Sequence, residues 1–228
     1  MRRALPLLAA LLLLPALAHA APPSIESDES PKRFTTSLNF GGVFFEDTNI
    51  QAAYGSAGQF FPNLTFWLVP WSKIIHIEVD VGIAFAQFSG EQQFLSGGAS
   101  SGKVMMTVFP ITVDLLVGVD IVDEQPVVPY GGVGLNYTLW RENEHGGGDE
   151  WAGDKLGFSA FFGGAFLLDV LERARSRRLD ATTGINDCYI TVEGRYRDVK
   201  SQIRSGGLTT EGLSFSGWSV MAGVKLVY

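Results

Sequence analysis

The side chains able to do acid–base or metal chemistry are few, and their spacing is loose. Of the three histidines, His19 lies in the first twenty residues, leaving His76 and His145. His145 stands among Glu142, Glu144, Asp149 and Glu150, a set that could hold a divalent cation or assist a hydrolysis. A solvated, charged loop accounts for the same residues more simply, because nothing fixes their geometry. The chain has no His-x-x-x-His pair, no cysteine cluster and no Gly-Lys-Ser/Thr phosphate loop. Gly146-Gly147-Gly148 reads as a flexible spacer. No cofactor and no metal is expected, and the chain is read as a non-enzyme.

A second set of charges has sharper spacing. Glu78 and Asp80, Asp114, Glu193 and Arg195, and Lys225 each lie inside an alternating apolar/polar stretch, on its polar parity. Charges placed so regularly must be held by strands, which send successive side chains to opposite faces.

Eight such stretches follow one another. Phe34 to Phe45 sets Phe34, Leu38, Phe40 and Phe44 against Thr35, Ser37 and Asn39. A second runs from about Phe60 to Val69. The third, from Ile75 to Phe85, alternates Ile75, Ile77, Val79, Val81 and Ile83 with His76, Glu78, Asp80, Gly82 and Ala84. The fourth covers about Lys103 to Val119, the fifth Val128 to Trp140, the sixth Lys155 to Leu168. The seventh, Asp187 to Arg197, sets Cys188, Ile190, Val192, Gly194 and Tyr196 against Tyr189, Thr191, Glu193, Arg195 and Arg197. The eighth, Leu213 to Tyr228, carries Trp218, Val220, Ala222, Val224, Leu226 and Tyr228 on one face. Pro70 to Lys73 and Asp120 to Pro126 read as short turns, Ser89 to Gly102 and Arg141 to Asp154 as long polar loops. Leu167 to Arg178 breaks the period and suits a short helical connection, with an unexplained basic run at Arg173 to Arg178.

Composition narrows the setting. Arg2 and Arg3, the apolar Leu5 to Leu17 and Ala18-His19-Ala20 form a cleavable export signal, with cleavage near Ala20/Ala21. No Cys follows that position, so no lipid anchor is expected. Residues 21–33, with Pro22, Pro23 and Pro31, read as a flexible lead-in, and 34–228 as one domain. The balance is 17 basic against 24 acidic residues, −7, which argues against nucleic acid as a partner. The single cysteine excludes an internal disulfide. Residues 21–228 offer no run of about 18 apolar residues, so helical membrane spans are excluded.

The stretches are long enough to cross a bilayer as strands and even in number; the gaps after the first, third, fifth and seventh are long and those after the second and fourth short, while the gap after the sixth breaks the rule. The expected fold is all-β: a closed eight-stranded antiparallel transmembrane β-barrel with a short helix in the last inner-side connection. Its apolar rows would face lipid. Its polar rows would fill a lumen where Glu78, Asp80 and Asp114 are balanced by Arg195 and Lys225, with Glu193 beside them. Small lumen residues, among them Gly82, Gly132, Gly134, Gly157 and Gly163, would leave room for the long ones. Cys188 falls on the lipid side. Trp67, Trp71, Tyr130, Trp140, Trp218 and Tyr228 would form interfacial girdles.

The signal, the eight-segment pattern and the terminal aromatic resemble the small outer-membrane barrel class that includes the OmpA-type and OmpW-type families. Pro129-Tyr130-Gly131-Gly132-Val133-Gly134 resembles the opening of a mid-barrel strand in that class. The stretch from Leu179-Asp180 through Gly184-Ile185-Asn186 to Tyr189 and Glu193 resembles an uncharacterised barrel family of myxobacteria and relatives. The resemblance implies a bacterial outer-membrane location and a C-terminal assembly signal in Val224, Leu226 and Tyr228. The implied partners are outer-membrane lipid and, during biogenesis, the barrel assembly machinery and periplasmic chaperones; the barrel is expected to be monomeric. A peptidoglycan-anchoring role like that of the OmpA type is not implied. Three roles are open: a structural or surface-interaction barrel, a narrow channel for small solutes or hydrophobic compounds, and, ranked last, an outer-rim hydrolase using His145.

Overall fold

The computed structural model describes residues 33–55, 58–72, 74–93, 99–121, 125–144, 150–168, 183–201 and 213–228. Its elements are β1 (Phe34–Phe45), α1 (Thr48–Tyr54), β2 (Gln59–Phe60), β3 (Asn63–Ser72), β4 (Ile75–Ala84), β5 (Ala86–Gln93), β6 (Ala99–Val119), β7 (Val127–Glu144), β8 (Glu150–Leu167), β9 (Asp187–Ser201) and β10 (Gly217–Val227). Every pairing is antiparallel. The order β10-β9-β8-β7-β6-β4-β3-β1 is closed by a ladder between β1 and β10, from Thr35↔Val227 to Phe45↔Gly217. The wall is therefore a ring of eight strands, with β2 a short addition to β1 and β5 an outward continuation of β4 along β6. A closed ring pairs the backbone groups that an open edge would leave bare in hydrocarbon.

Alternation decides which face is which. Val113, Leu115, Val133, Leu135, Phe158, Phe162, Val192 and Val220 are each between 45% and 68% exposed on the outside, an apolar coat too continuous for a water-facing surface. On β6 the outward row Phe109, Ile111, Val113, Leu115, Val117 and Val119 is unbroken. At ordinary strand rise and barrel tilt it is about 25–28 Å tall, the thickness of a hydrocarbon core. The opposite parity is buried: Thr35 and Ser37, Thr65 and Trp67, Glu78 and Asp80, Thr112 and Asp114, Glu193 and Arg195. No helix among the described residues is long and apolar enough to cross a membrane.

Three boundaries differ from the sequence reading. Pro70 to Ser72 belong to β3, which continues past a bulge between Leu68 and Trp71, so the turn is tighter than expected. The supposed loop after the third stretch is mostly ladder: β5 pairs β6 from Ala86↔Val108 to Gln93↔Ala99. Likewise β7 and β8 run on to Asn143↔Glu150. These extensions lie beyond the apolar belt, where the apolar residues, among them Phe88, Met106 and Trp140, turn inward and the lipid-facing alternation no longer marks the strands. The partner of β6 changes from β4 to β5 between Ile111 and Val108, at Pro110, whose missing N–H cannot support a ladder bond.

A helix, α1, lies in the first outer connection. The Asp47 carboxylate accepts from the Asn49 and Ile50 N–H groups at 2.8 and 3.2 Å. Gly55, at φ 85°, ends the helix. The helix expected in the last inner-side connection, the export signal, the lead-in up to residue 32, His145 and Arg173 to Arg178 lie outside the described residues.

Candidate functional site

The lumen is layered. At the outer end, Ile50 and Tyr54 of α1 reach into an apolar cluster with Phe61, Phe88, Met106 and Trp140, closed over by Phe215. Phe45 stands 5.3 Å from Phe88 and 5.8 Å from Phe215, centroid to centroid. Burial, and after it the Glu142 carboxylate, push the Tyr54 phenol well above its ordinary pKa. Around the rim, the Ser214 N–H donates to Asp47 at 2.7 Å and Lys200 pairs with Asp198 at 2.9 Å.

Below the cap lie the charges. Arg195, 1% exposed, is the hub. One of its Nη atoms pairs with Asp114, its Nε donates to Glu193 at 2.9 Å, and its guanidinium stacks 4.2 Å over the Phe161 ring. Tyr130 donates to Glu193 at 3.4 Å, and Ser159 to Asp114 at 3.3 Å. Lys225 forms a second group: its Nζ lies 2.8 Å from both Glu78 oxygens and 4.5 Å from the Trp67 ring centroid, with His76 Nε2 3.4 Å from Glu78. Asp80, fully buried and facing Asp114 in the β4–β6 register, makes no hydrogen bond to a side chain among the described residues. Arg197 donates to Ser219 at 2.6 Å and stacks 4.8 Å over Phe61. At the inner mouth a pocket of about 40 Å³, room for little more than a water, is lined by Thr35, His76, Glu78, Tyr130, Tyr189 and Lys225.

Glycines make this filling fit. Gly134 lies directly across from Asp114, Gly132 from Phe161, Gly163 from Tyr130, Gly118 from His76 and Gly153 from Trp140. In each pair a Cβ on the glycine would run into the opposing side chain. A barrel of this size has little interior to spare, so a large side chain needs a bare backbone opposite.

The girdle expectation is corrected for three residues. Trp67, Tyr130 and Trp140 point inward, Trp67 and Trp140 being 6% and 3% exposed; all three lie on the lumen parity of their strands, and Gly163 and Gly153 leave room for Tyr130 and Trp140. Trp218 is outward, and the Trp71 side chain lies outside the described part. Sequence reasoning also missed Phe161 and Phe61 as seats for Arg195 and Arg197. For Phe161 the signal was its parity, which matches that of Ser159 and Gly163. Cys188 sits half-buried on the outward row. Val224 is exposed on that row, and Tyr228 is tied to the first strand, its carbonyl accepting from Arg33 and Phe34 and its N–H donating to the Phe34 carbonyl at 2.8 Å.

No protein-family model matches the chain, and no curated protein matches it. Solved structures do. Neisserial surface protein A is 14% identical, with 86% of this chain and 97% of that chain covered, at a TM-score of 0.52. A major outer membrane protein from Thermus thermophilus is 13% identical, covering 86% and 99%, at 0.47. Ail, the attachment invasion locus protein of Yersinia pestis, solved with the heparin analogue sucrose octasulfate, is 11% identical, covering 85% and 97%, at 0.40. At such identities the likeness concerns architecture alone: the chain is a closed β-barrel of the outer-membrane type, with the fold of Neisserial surface protein A.

Proposed function

We propose that the protein is an integral barrel of a bacterial outer membrane, exported by the N-terminal signal, with a non-catalytic structural or surface-interaction role. On this reading its lumen is plugged and its outer rim is the working surface. One observation supports it: an apolar cap at the outer end stands above the Arg195–Asp114–Glu193 and Lys225–Glu78 groups. A solute would have to displace both a packed core and paired charges in low dielectric. Outer-membrane lipid is the proposed surrounding, and the row Val224, Leu226 and Tyr228 the proposed mark for assembly. Planar-bilayer recording tests the plug: the wild-type barrel should give no steady open-pore current. A steady current abolished by Asp80→Asn or Arg195→Gln would overturn the reading. Fractionation tests the location, with heat-modifiable mobility in outer membranes expected and a soluble periplasmic protein overturning it.

A second reading, a lateral path for small hydrophobic compounds as in the OmpW type, is favoured by one feature. Among the described residues β5 pairs only with β6, so its other edge, beside β2, has no ladder. Behind that seam stand α1, whose Ala53 carbonyl packs against Gly90, and the apolar Phe61 and Phe88. Entry of a hydrophobic dye into proteoliposomes, absent with empty vesicles, would favour this path over the plugged barrel.

A further inference from the structure

We propose that Asp80, Thr112 and Asn63 form a binding site for one small monovalent hard cation, sodium being the reference ion, inside the barrel wall at Gly82. Asp80 is 0% exposed, and neither of its carboxylate oxygens has a side-chain hydrogen-bond partner among the described residues. The cations near it are taken: Lys225 binds both oxygens of Glu78, and Arg195 is shared between Asp114 and Glu193. Directly opposite Asp80 in the ladder stands Asp114, a like charge. A buried carboxylate without a counter-charge is among the costliest groups a fold can carry.

The charge balance of this layer agrees. Among the described residues four buried carboxylates, Glu78, Asp80, Asp114 and Glu193, face three buried cations, Arg195, Arg197 and Lys225. Toward the outer end Asp154 and Lys155 add one charge of each sign, and at the inner mouth Asp187 adds one more carboxylate. The middle of the lumen is thus one positive charge short while His76 is neutral.

Two more buried oxygens without partners converge on Gly82. Thr112 Oγ1 and Asn63 Oδ1 are 2.5 and 3.5 Å from the single point where a Cβ would stand on Gly82, with the Thr65 methyl at 3.1 Å. Gly82 is two residues along β4 from Asp80, on the same inward face. The space over this glycine is therefore approached by a hydroxyl and an amide oxygen from the two neighbouring strands, with the Asp80 carboxylate two residues along β4 and no nitrogen or sulfur ligand in the set. Oxygen-only ligation with one carboxylate suits a hard cation of single charge. A divalent ion, with Asp114 already committed to Arg195, would leave the layer over-charged.

The test uses the full-chain barrel in detergent micelles, its thermal midpoint measured in sodium, lithium, potassium and choline chloride at equal ionic strength. A saturable rise of about 2–4 °C in sodium over choline is expected. It should be absent in Asp80→Asn and smaller in Thr112→Val. Equal midpoints in sodium and choline, or a sodium response unchanged in Asp80→Asn, would overturn the site in favour of a protonated Asp80 or internal water. Should Asp80→Asn fail to fold, Gly82→Ala, whose methyl displaces Thr112 Oγ1, decides together with Thr112→Val: an undiminished sodium response in both overturns it.

Discussion

Lys225 Nζ lies 2.8 Å from each carboxylate oxygen of Glu78, tying the last strand to β4 across a lumen whose wall places β1 and β3 between them. Because both groups are buried, removing one partner strands the other in low dielectric. Glu78→Gln is expected to destabilise the barrel by about 3–5 kcal/mol, as is Lys225→Met. The double variant should lose far less than the sum, since no lone charge is left. Urea unfolding of the barrel in lipid, read by tryptophan fluorescence, gives the cycle, and additive losses would contradict a direct pair.

The glycine seats predict a position-specific intolerance. Gly132→Ala puts a methyl into the Phe161 ring across the β7–β8 ladder, and Gly134→Ala into the Asp114 carboxyl. Each should cost about 1–3 kcal/mol by overpacking. Gly42→Ala, on the outward row of β1 with its nearest atom 3.6 Å away, should be close to neutral. Adding Phe161→Leu to Gly132→Ala should recover part of the loss. Equal tolerance at Gly42 and Gly132 would remove the packing argument.

These pairs also mark how far the sequence could be read. Parity alone placed Glu78, Asp114, Arg195 and Lys225 inward, because a strand cannot bury one residue without turning its neighbours out. Parity does not choose partners: Lys225 meets Glu78 only because β10 closes on β1 and the shear brings β4 opposite, which is long-range geometry. Aromatic residues were misread for a related reason. A tryptophan suits an interface girdle and a lumen equally by composition; the parity that Trp67 shares with Thr65, and Trp140 with Asn136 and Thr138, separates the two, and Gly153 across the ladder gives Trp140 its room. The outer cap was illegible because its parts, Ile50, Phe61, Phe88 and Phe215, come from four separate segments with no shared period.

Val133 distinguishes a lipid-facing wall from a water-facing one. It stands mid-strand on the outside of β7, 60% exposed, between Leu115 and Ala160 in the ladders. On a water-exposed surface Val133→Arg would change stability by no more than about 0.5 kcal/mol. In the hydrocarbon belt the same charge costs about 2–4 kcal/mol. Unfolding in phospholipid vesicles should give the larger value, and a near-neutral result would mean that this face does not contact lipid.

Asp47 should control the outer cap without controlling the barrel. One carboxylate oxygen caps α1 through Asn49 and Ile50, while the other accepts from Ser214 N–H at 2.7 Å, pinning the helix to the segment that leads into β10. Asp47→Ala removes the cap and one charge-assisted bond, a local loss of about 1–2 kcal/mol. The β1–β10 ladder begins on the other side of Phe45 and does not depend on it. The expected result is faster hydrogen exchange across Ile50 to Tyr54 and new proteolytic cleavage there, with heat-modifiable mobility retained. Asp47→Asn keeps an acceptor for the helix and should restore most of the protection. If exchange accelerates equally in β1 and β10, cap and barrel unfold as one unit and the independence argued here fails.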